Sequence, residues 1–233
     1  MSTESAQLES APAPSSTALR PTARALAVAG GVALLAGPAL FFAGLATSPV
    51  QLGEDKASYI DSLMRDPMLT QISALLLHYG NLLMGLGVLA LPWLVRDRRG
   101  AIPAVIGAFL ASLALLGNSG ALFADWMHLE LGRALGAADA APVSAAVFAH
   151  PMMQLSFGMA PLIAVGLVLS AIGLVRAGVV GWWTIPAVIV GQLGLLFLPY
   201  SMPILPALGT LPMLAVLVVG GLRVLGRVRI ARG

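Results

Sequence analysis

The chain has 233 residues, of which 58% are hydrophobic and 10% are charged, and its formal net charge is +3. Soluble domains carry about 25% charged residues, and the mean hydropathy here is +0.92. This composition excludes a soluble globule and predicts an all-α integral membrane protein. Because the sequence contains no cysteine, disulfides, thiolate metal sites and cysteine nucleophiles are also excluded.

The predicted elements begin with a tail. Residues 1–19 are rich in Ser, Ala and Pro without a hydrophobic run, so we expect them to be disordered. The apolar run after Arg20 and Arg24 is long enough to cross a bilayer, which indicates a retained first helix and not a cleaved signal peptide. Residues 20–233 are then one transmembrane domain of six helices. The predicted spans cover residues 25–47, 71–95, 101–124, 150–175, 179–198 and 204–222.

Two connecting segments are long enough to have structure of their own. Between the first two spans, Ala57, Ile60, Leu63 and Met64 repeat at helical spacing in a charged stretch. This pattern predicts a short amphipathic helix lying at the membrane interface. The Ala-rich segment at 129–149 is interpreted as a loop.

The distribution of basic residues predicts the orientation of the six spans. With the N-terminus inside, ten arginines fall on inner segments, whereas only Lys56, Arg65 and Arg133 fall on outer ones. The positive-inside rule therefore places both termini in the cytoplasm, in a plasma-membrane protein. The arginines have this topological role, and nucleic acid is not an expected partner. The inner arginines are Arg20, Arg24, Arg96, Arg98, Arg99, Arg176, Arg223, Arg227, Arg229 and Arg232.

The most polar stretch at the end of a predicted span is GNSGALFADWMH, at 117–128. As a helix, it places Asn118, Asp125 and His128 along one face. Counting about 1.5 Å per residue from Arg99 puts Asn118 about 28 Å out, just inside a core of about 30 Å. Asp125 and His128 are then about 39 and 43 Å out, in the headgroup zone.

Two other histidines belong to the same outer region. His78 lies about 27 Å from the inner arginines, inside an apolar run, and His150 lies about 39 Å out. Ionisable groups at membrane depth are costly and often functional. The pattern predicts a polar pocket that opens outward between spans 2, 3 and 4, roofed by the amphipathic helix.

A metal or cofactor site is the first functional hypothesis for this pocket. Imidazoles and a carboxylate form the ligand set of Zn and non-haem Fe, and they also suit Cu. Amide side chains nearby would bind the ligand or orient the metal-binding groups. The predicted metal ligands are His78, Asp125, His128 and His150, and the predicted amide partners are Asn81, Asn118 and Gln154.

Other readings of the same residues stay open. Haem held by His78 and His150 is disfavoured by their depth difference of about 12 Å. A small proton-coupled transporter would use Asp125 and a histidine as its relay. In a non-catalytic membrane partner or assembly factor, the polar groups would only face headgroups, bond a backbone carbonyl or join helices. The sequence predicts the lipid bilayer and a small molecule from the outer face as partners, but no reaction.

Overall fold

The computed structural model describes residues 21–96 and 98–230, without the side chains of residues 156 and 157. The predicted disordered tail, 1–19, lies outside the described residues. Within these ranges the secondary structure is helical, with no strand, which confirms the all-α class. The helices are α1 (Pro21–Ala46), α2 (Lys56–Arg65), α3 (Pro67–Val88), α4 (Ala101–Ala121), α5 (Phe123–Leu135), α6 (Ala137–Phe148), α7 (Pro151–Phe157), α8 (Pro161–Arg176), α9 (Thr184–Phe197) and α10 (Ile204–Ile230), with a 3-10 turn at Leu91–Leu94.

Four helical runs in the described part of the chain are long and apolar enough to cross a membrane. They correspond to predicted spans 1, 2, 3 and 6. These runs are Pro21–Ala46, Pro67–Leu94, Ala101–Leu135 and Ile204–Ile230.

The other two predicted spans are represented by shorter helices. The segment predicted as one helix over 150–175 is divided into α7 and α8, because Pro161 has no N–H with which to continue α7. Helix α8 has 16 residues, a rise of about 24 Å, and α9 has 14. Neither alone reaches the bilayer core thickness of about 30 Å.

Backbone contact between glycine-containing helices holds the bundle together. Helix α1 packs against α3 and α10, α4 packs against α3 and α8, and α9 packs against α10. A Cβ at Gly80 in α3 would lie 2.7 Å from the backbone nitrogen of Phe41 in α1, and one at Gly107 in α4 would overlap the backbone nitrogen of Ser170 in α8. Glycine is therefore required at both crossings for the backbones to meet.

Helices α2, α5 and α6 pack against one another at one end of the bundle, and we call them the cap. The amphipathic helix predicted around 57–64 is confirmed as α2. Asp55 caps its N-terminus, where its carboxylate accepts from the Ser58 hydroxyl at 2.6 Å and from the Ser58 backbone N–H at 2.9 Å. These two bonds lower the pKa of Asp55. Ile60 and Leu63 are buried, so the apolar face of α2 is turned into the protein.

The prediction of a loop at 129–149 is wrong. Helix α5 continues to Leu135, Gly136 turns the chain with a φ of 82°, and α6 follows at once. Alanine, which is abundant in α6, has the highest helix propensity of all residues. A composition rich in Ala should therefore have indicated helix at this position.

Candidate functional site

A chamber of about 340 Å³ lies inside the bundle beneath the cap. Small-molecule sites in proteins usually enclose about 300–1,000 Å³, so the chamber is large enough for a small ligand. Apolar side chains from α1, α2, α3 and α9, together with Leu122 between α4 and α5, form much of its wall. The polar side chains that line it are Ser48, Gln51, Tyr59, Ser62, Ser73, Asn81, Asn118, Asp125 and Tyr200.

A hydrogen bond between α2 and α5 forms the cap end of the chamber. The hydroxyl of Tyr59 donates to Asp125 Oδ1. Burial raises the pKa of the Tyr59 hydroxyl well above its ordinary value, and the negative charge of Asp125 raises it further. Tyr59 therefore keeps its proton at neutral pH and remains a donor to the carboxylate.

Two carboxamides lie deeper in the chamber. Asn118 Nδ2 in α4 donates to Asn81 Oδ1 in α3 at 3.2 Å. Asn81 is buried and donates in turn to the Leu77 carbonyl at 2.9 Å. This pair joins α3 to α4 and presents two hydrogen-bonding groups in an otherwise largely apolar region.

A smaller cavity of about 40 Å³ continues from the chamber towards the middle of the bundle, and we call it the inner pocket. Phe41, Asn81 and Asn118 line both cavities. Gln192 of α9 also lines the inner pocket, where its Nε2 lies 2.9 Å from Met213 Sδ. A cavity needs about 10–15 Å³ to hold one water, so the inner pocket has room for a few waters or a narrow group.

A third cavity, of about 350 Å³, lies on the other side of the Tyr59–Asp125 pair, and we call it the vestibule. Tyr59 and Asp125 line both the vestibule and the chamber. Lys56 lines the vestibule as well, with its Nζ 5.1 Å from the centroid of the Tyr59 ring and 5.4 Å from that of Phe148. The hydrogen-bonded pair thus separates a charged outer cavity from a more apolar inner one.

His78 connects two helices through backbone and hydroxyl groups. Its Nδ1 lies 3.0 Å from the Ser119 carbonyl oxygen and 2.8 Å from Ser119 Oγ, which donates to the His78 carbonyl at 3.0 Å. Phe123 packs against the ring at a centroid distance of 4.9 Å. One alternative in the sequence analysis was a polar group that only bonds a backbone carbonyl, and His78 has that arrangement. Its hydrogen bonds join α3 to the end of α4.

His128 is buried in the cap, with 2% of its surface exposed. Its Nε2 lies 2.6 Å from Ser144 Oγ, which joins α5 to α6. The ring meets Tyr59 edge-on and stacks on Phe148, both at centroid distances of 5.6 Å. Its Nδ1 is buried and has no hydrogen-bond partner among the described residues.

His150 and Gln154 lie apart from these groups. Both are exposed, and His150 precedes the first residue of α7. Neither is among the described residues that line the chamber, the inner pocket or the vestibule.

The four residues predicted as metal ligands therefore do not share one centre. His78 is bonded to Ser119, Asp125 to Tyr59 and His128 to Ser144, while His150 is exposed. Across residues 21–96 and 98–230, no three His, Asp or Glu side chains are grouped so that they could hold a metal ion. What the structure does bring together, in one chamber, is Asn81, Asn118 and Asp125.

Tyr59, Tyr200 and Gln192 are among the residues of the site that were not predicted. Tyr59 lies in the segment predicted to roof the pocket, and its position four residues before Leu63 places it on the face that lines the chamber. Tyr200 lies in the turn between α9 and α10, where Leu195 accepts from its hydroxyl at 3.1 Å. Gln192 had a usable signal, because it is the only strongly polar residue of the two last predicted spans.

Comparisons of the chain with protein-family models, curated proteins and solved structures find no significant match. The chamber and the groups that line it are therefore the features of the molecule that indicate a function.

Proposed function

We propose that this protein is an integral membrane protein that binds a small amphiphilic organic molecule in the chamber. The observation that carries the proposal is a cavity of about 340 Å³ whose apolar wall is interrupted by Tyr59–Asp125 at one end and Asn81–Asn118 further in. A mostly apolar pocket with a few convergent polar groups is the usual form of a small-molecule site. The hydrocarbon part of the ligand would lie against the leucines, and its polar part would meet these two pairs.

The proposal includes the six-span topology with both termini in the cytoplasm. Arg96, Arg99 and Arg176 lie at the chain turns opposite the cap, and the C-terminal end of α10 carries three further arginines. By the positive-inside rule, that end would face the cytoplasm and the cap would face outward. In this arrangement α8 and α9 would complete the bundle as the fourth and fifth spans, and the ligand would enter from the outer side.

A transport role is the second candidate, because three cavities lie in sequence. Vestibule, chamber and inner pocket lead from the cap towards the middle of the bundle, and neighbouring cavities share lining residues. Binding sites of transporters often lie near the bilayer midplane. Transport would predict that reconstituted vesicles take up the ligand, whereas a receptor or an enzyme would bind the ligand without moving it across the membrane.

Filling the chamber tests the proposal. Leu122, the residue between α4 and α5, lines the chamber, so Leu122→Trp should place the larger ring inside it. We expect affinity for any bound ligand to fall at least tenfold, which is about 1.4 kcal/mol. The control is Leu113→Trp in the preceding helix α4, because Leu113 is 43% exposed on the outside of the bundle.

Binding would be measured on protein in nonionic detergent, as ligand-dependent thermal stabilisation across a panel of cationic, neutral and anionic amphiphiles. Size-exclusion profiles would establish that both variants are folded. If Leu122→Trp aggregates, Asn118→Leu provides a second test, since it keeps the side-chain size and removes the carboxamide. Equal binding by Leu122→Trp and Leu113→Trp, or equal binding by Asn118→Leu and the unchanged protein, would contradict a site in the chamber.

A further inference from the structure

We propose that the ligand of the chamber is an organic cation, a protonated or quaternary amine, whose charged group binds beside Asp125 among the rings of Tyr59 and Tyr200. This inference rests on the proposed function, because it specifies the chemistry of the molecule that the same chamber accepts. Three features of the chamber carry it: its charge, its aromatic side chains and its apolar wall.

The described residues that line the chamber include a negative charge and no positive one. Asp125 is the only acidic side chain among the described residues that line it, and no Arg, Lys or His is among them. The two ion pairs in the described part of the chain are Arg65–Asp61 and Arg133–Glu130, so Asp125 has no ion-pair partner there. A carboxylate partly removed from water is costly unless it is paired and hydrogen-bonded. Tyr59 supplies the hydrogen bond, and Lys56 of the vestibule is near enough to act on Asp125 through its charge but forms no ion pair with it. A ligand cation in the chamber would supply a direct ion pair.

Aromatic rings accompany the carboxylate. Phe41, Tyr59 and Tyr200 all line the chamber. Ammonium groups are attracted to aromatic faces, and quaternary ammonium ligands are commonly recognised by several rings together. Tyr59 already has an ammonium over its ring, since Lys56 Nζ of the vestibule lies 5.1 Å from its centroid.

The other residues that line the chamber indicate the polarity of the rest of the ligand. Leu45, Leu77 and Leu195 give the chamber an apolar wall that suits a short hydrocarbon body. The carboxamides of Asn81 and Asn118 offer a donor and an acceptor to one hydroxyl or carbonyl group. The expected ligand is accordingly a small amine with a hydrocarbon part and one neutral polar group.

Three probes of similar size and branching test the charge preference. Choline carries the positive charge, 3,3-dimethylbutan-1-ol is its neutral isostere, and 3,3-dimethylbutanoate carries a negative charge. Each would be titrated separately against the full chain in dodecyl maltoside, with the midpoint of thermal unfolding as the signal. We expect choline to bind at least tenfold tighter than the alcohol and the carboxylate to bind weakest.

Variants assign that preference to the proposed groups. Asp125→Asn keeps an acceptor for Tyr59 and removes the charge, so it should abolish the preference for choline over the alcohol. Asp139→Asn is the matched control, because Asp139 is exposed in α6 of the same cap. Tyr200→Leu should weaken choline by about two- to thirtyfold, the range of a cation–π contact, and leave the alcohol unchanged.

The outcomes separate this inference from the proposed function. If the alcohol or the carboxylate binds as tightly as choline and Leu122→Trp blocks that binding, the chamber is a ligand site and the cation preference is overturned. The preference is also overturned if Asp125→Asn binds choline unchanged. If none of the three probes stabilises the protein but a larger amphiphile does so in a way that Leu122→Trp blocks, the cation inference is overturned and the proposed function stands; if nothing binds, both fail.

Discussion

The hydrogen bond between Tyr59 and Asp125 should make a measurable contribution to the stability of the cap. A hydrogen bond to a charged group contributes about 1.5–3 kcal/mol. The residues are half-buried, and cavities lie on both sides of them, so water can replace part of the interaction. We therefore expect Tyr59→Phe to lower the free energy of unfolding by about 1.5 kcal/mol, at the low end of that range.

A double-mutant cycle separates this bond from other effects of the substitutions. Tyr59→Phe, Asp125→Leu and the double variant would be unfolded by titrating a denaturing detergent into mixed micelles, and tryptophan fluorescence would report the fraction unfolded. The expected coupling energy is about 1.5 kcal/mol. Tyr79→Phe is the matched control, because Tyr79 is 47% exposed, and its effect should stay within about 0.5 kcal/mol. Additivity of the Tyr59 and Asp125 variants to within about 0.5 kcal/mol would refute the assigned hydrogen bond.

Further predictions concern helix packing and the cap. Gly107→Ala should destabilise the protein by about 1–3 kcal/mol, because the new methyl group would overlap the backbone of α8. Gly117→Ala in the same helix meets open space and should stabilise it by up to about 1 kcal/mol; the same sign for both variants in thermal unfolding would contradict the α4–α8 crossing. Ser144→Ala should cost about 1–3 kcal/mol, because it leaves the buried His128 Nε2 without its partner. Ser144→Thr, which keeps the hydroxyl, should retain more of that stability, and equal losses in the two variants would contradict the bond.

The long apolar runs made much of the fold predictable. Helices α1, α3, α4 and α10 follow from continuous hydrophobicity over more than 20 residues. The division of span 4 was harder to predict, because Pro161 lies in a run that stays apolar on both sides. Residues 137–148 were predicted as part of an Ala-rich loop, although alanine favours helix even in a segment without hydrophobic periodicity.

The candidate site was predicted in part, for a physical reason. Counting the rise along a helix gives the depth of a residue but not the direction in which its side chain points. Asn81, Asn118 and Asp125 have both the depth and the direction that the chamber requires. His78 has a suitable depth, but its ring is engaged by Ser119. Rotation about the helix axis depends on neighbouring helices, and the sequence pattern alone does not determine it.

If the chamber binds a ligand as proposed, the glycine crossing beneath it restricts where new ligand preferences can arise. Gly80 holds the backbone of α3 against Phe41, which lines the floor of both the chamber and the inner pocket. Any larger residue at Gly80 would push the two helices apart, so this floor tolerates little variation. The roof is built from side chains of α2, which packs mainly against the other two helices of the cap. In a selection for altered ligand preference, accepted substitutions should therefore accumulate around Tyr59 and Ser62 and spare the neighbourhood of Gly80.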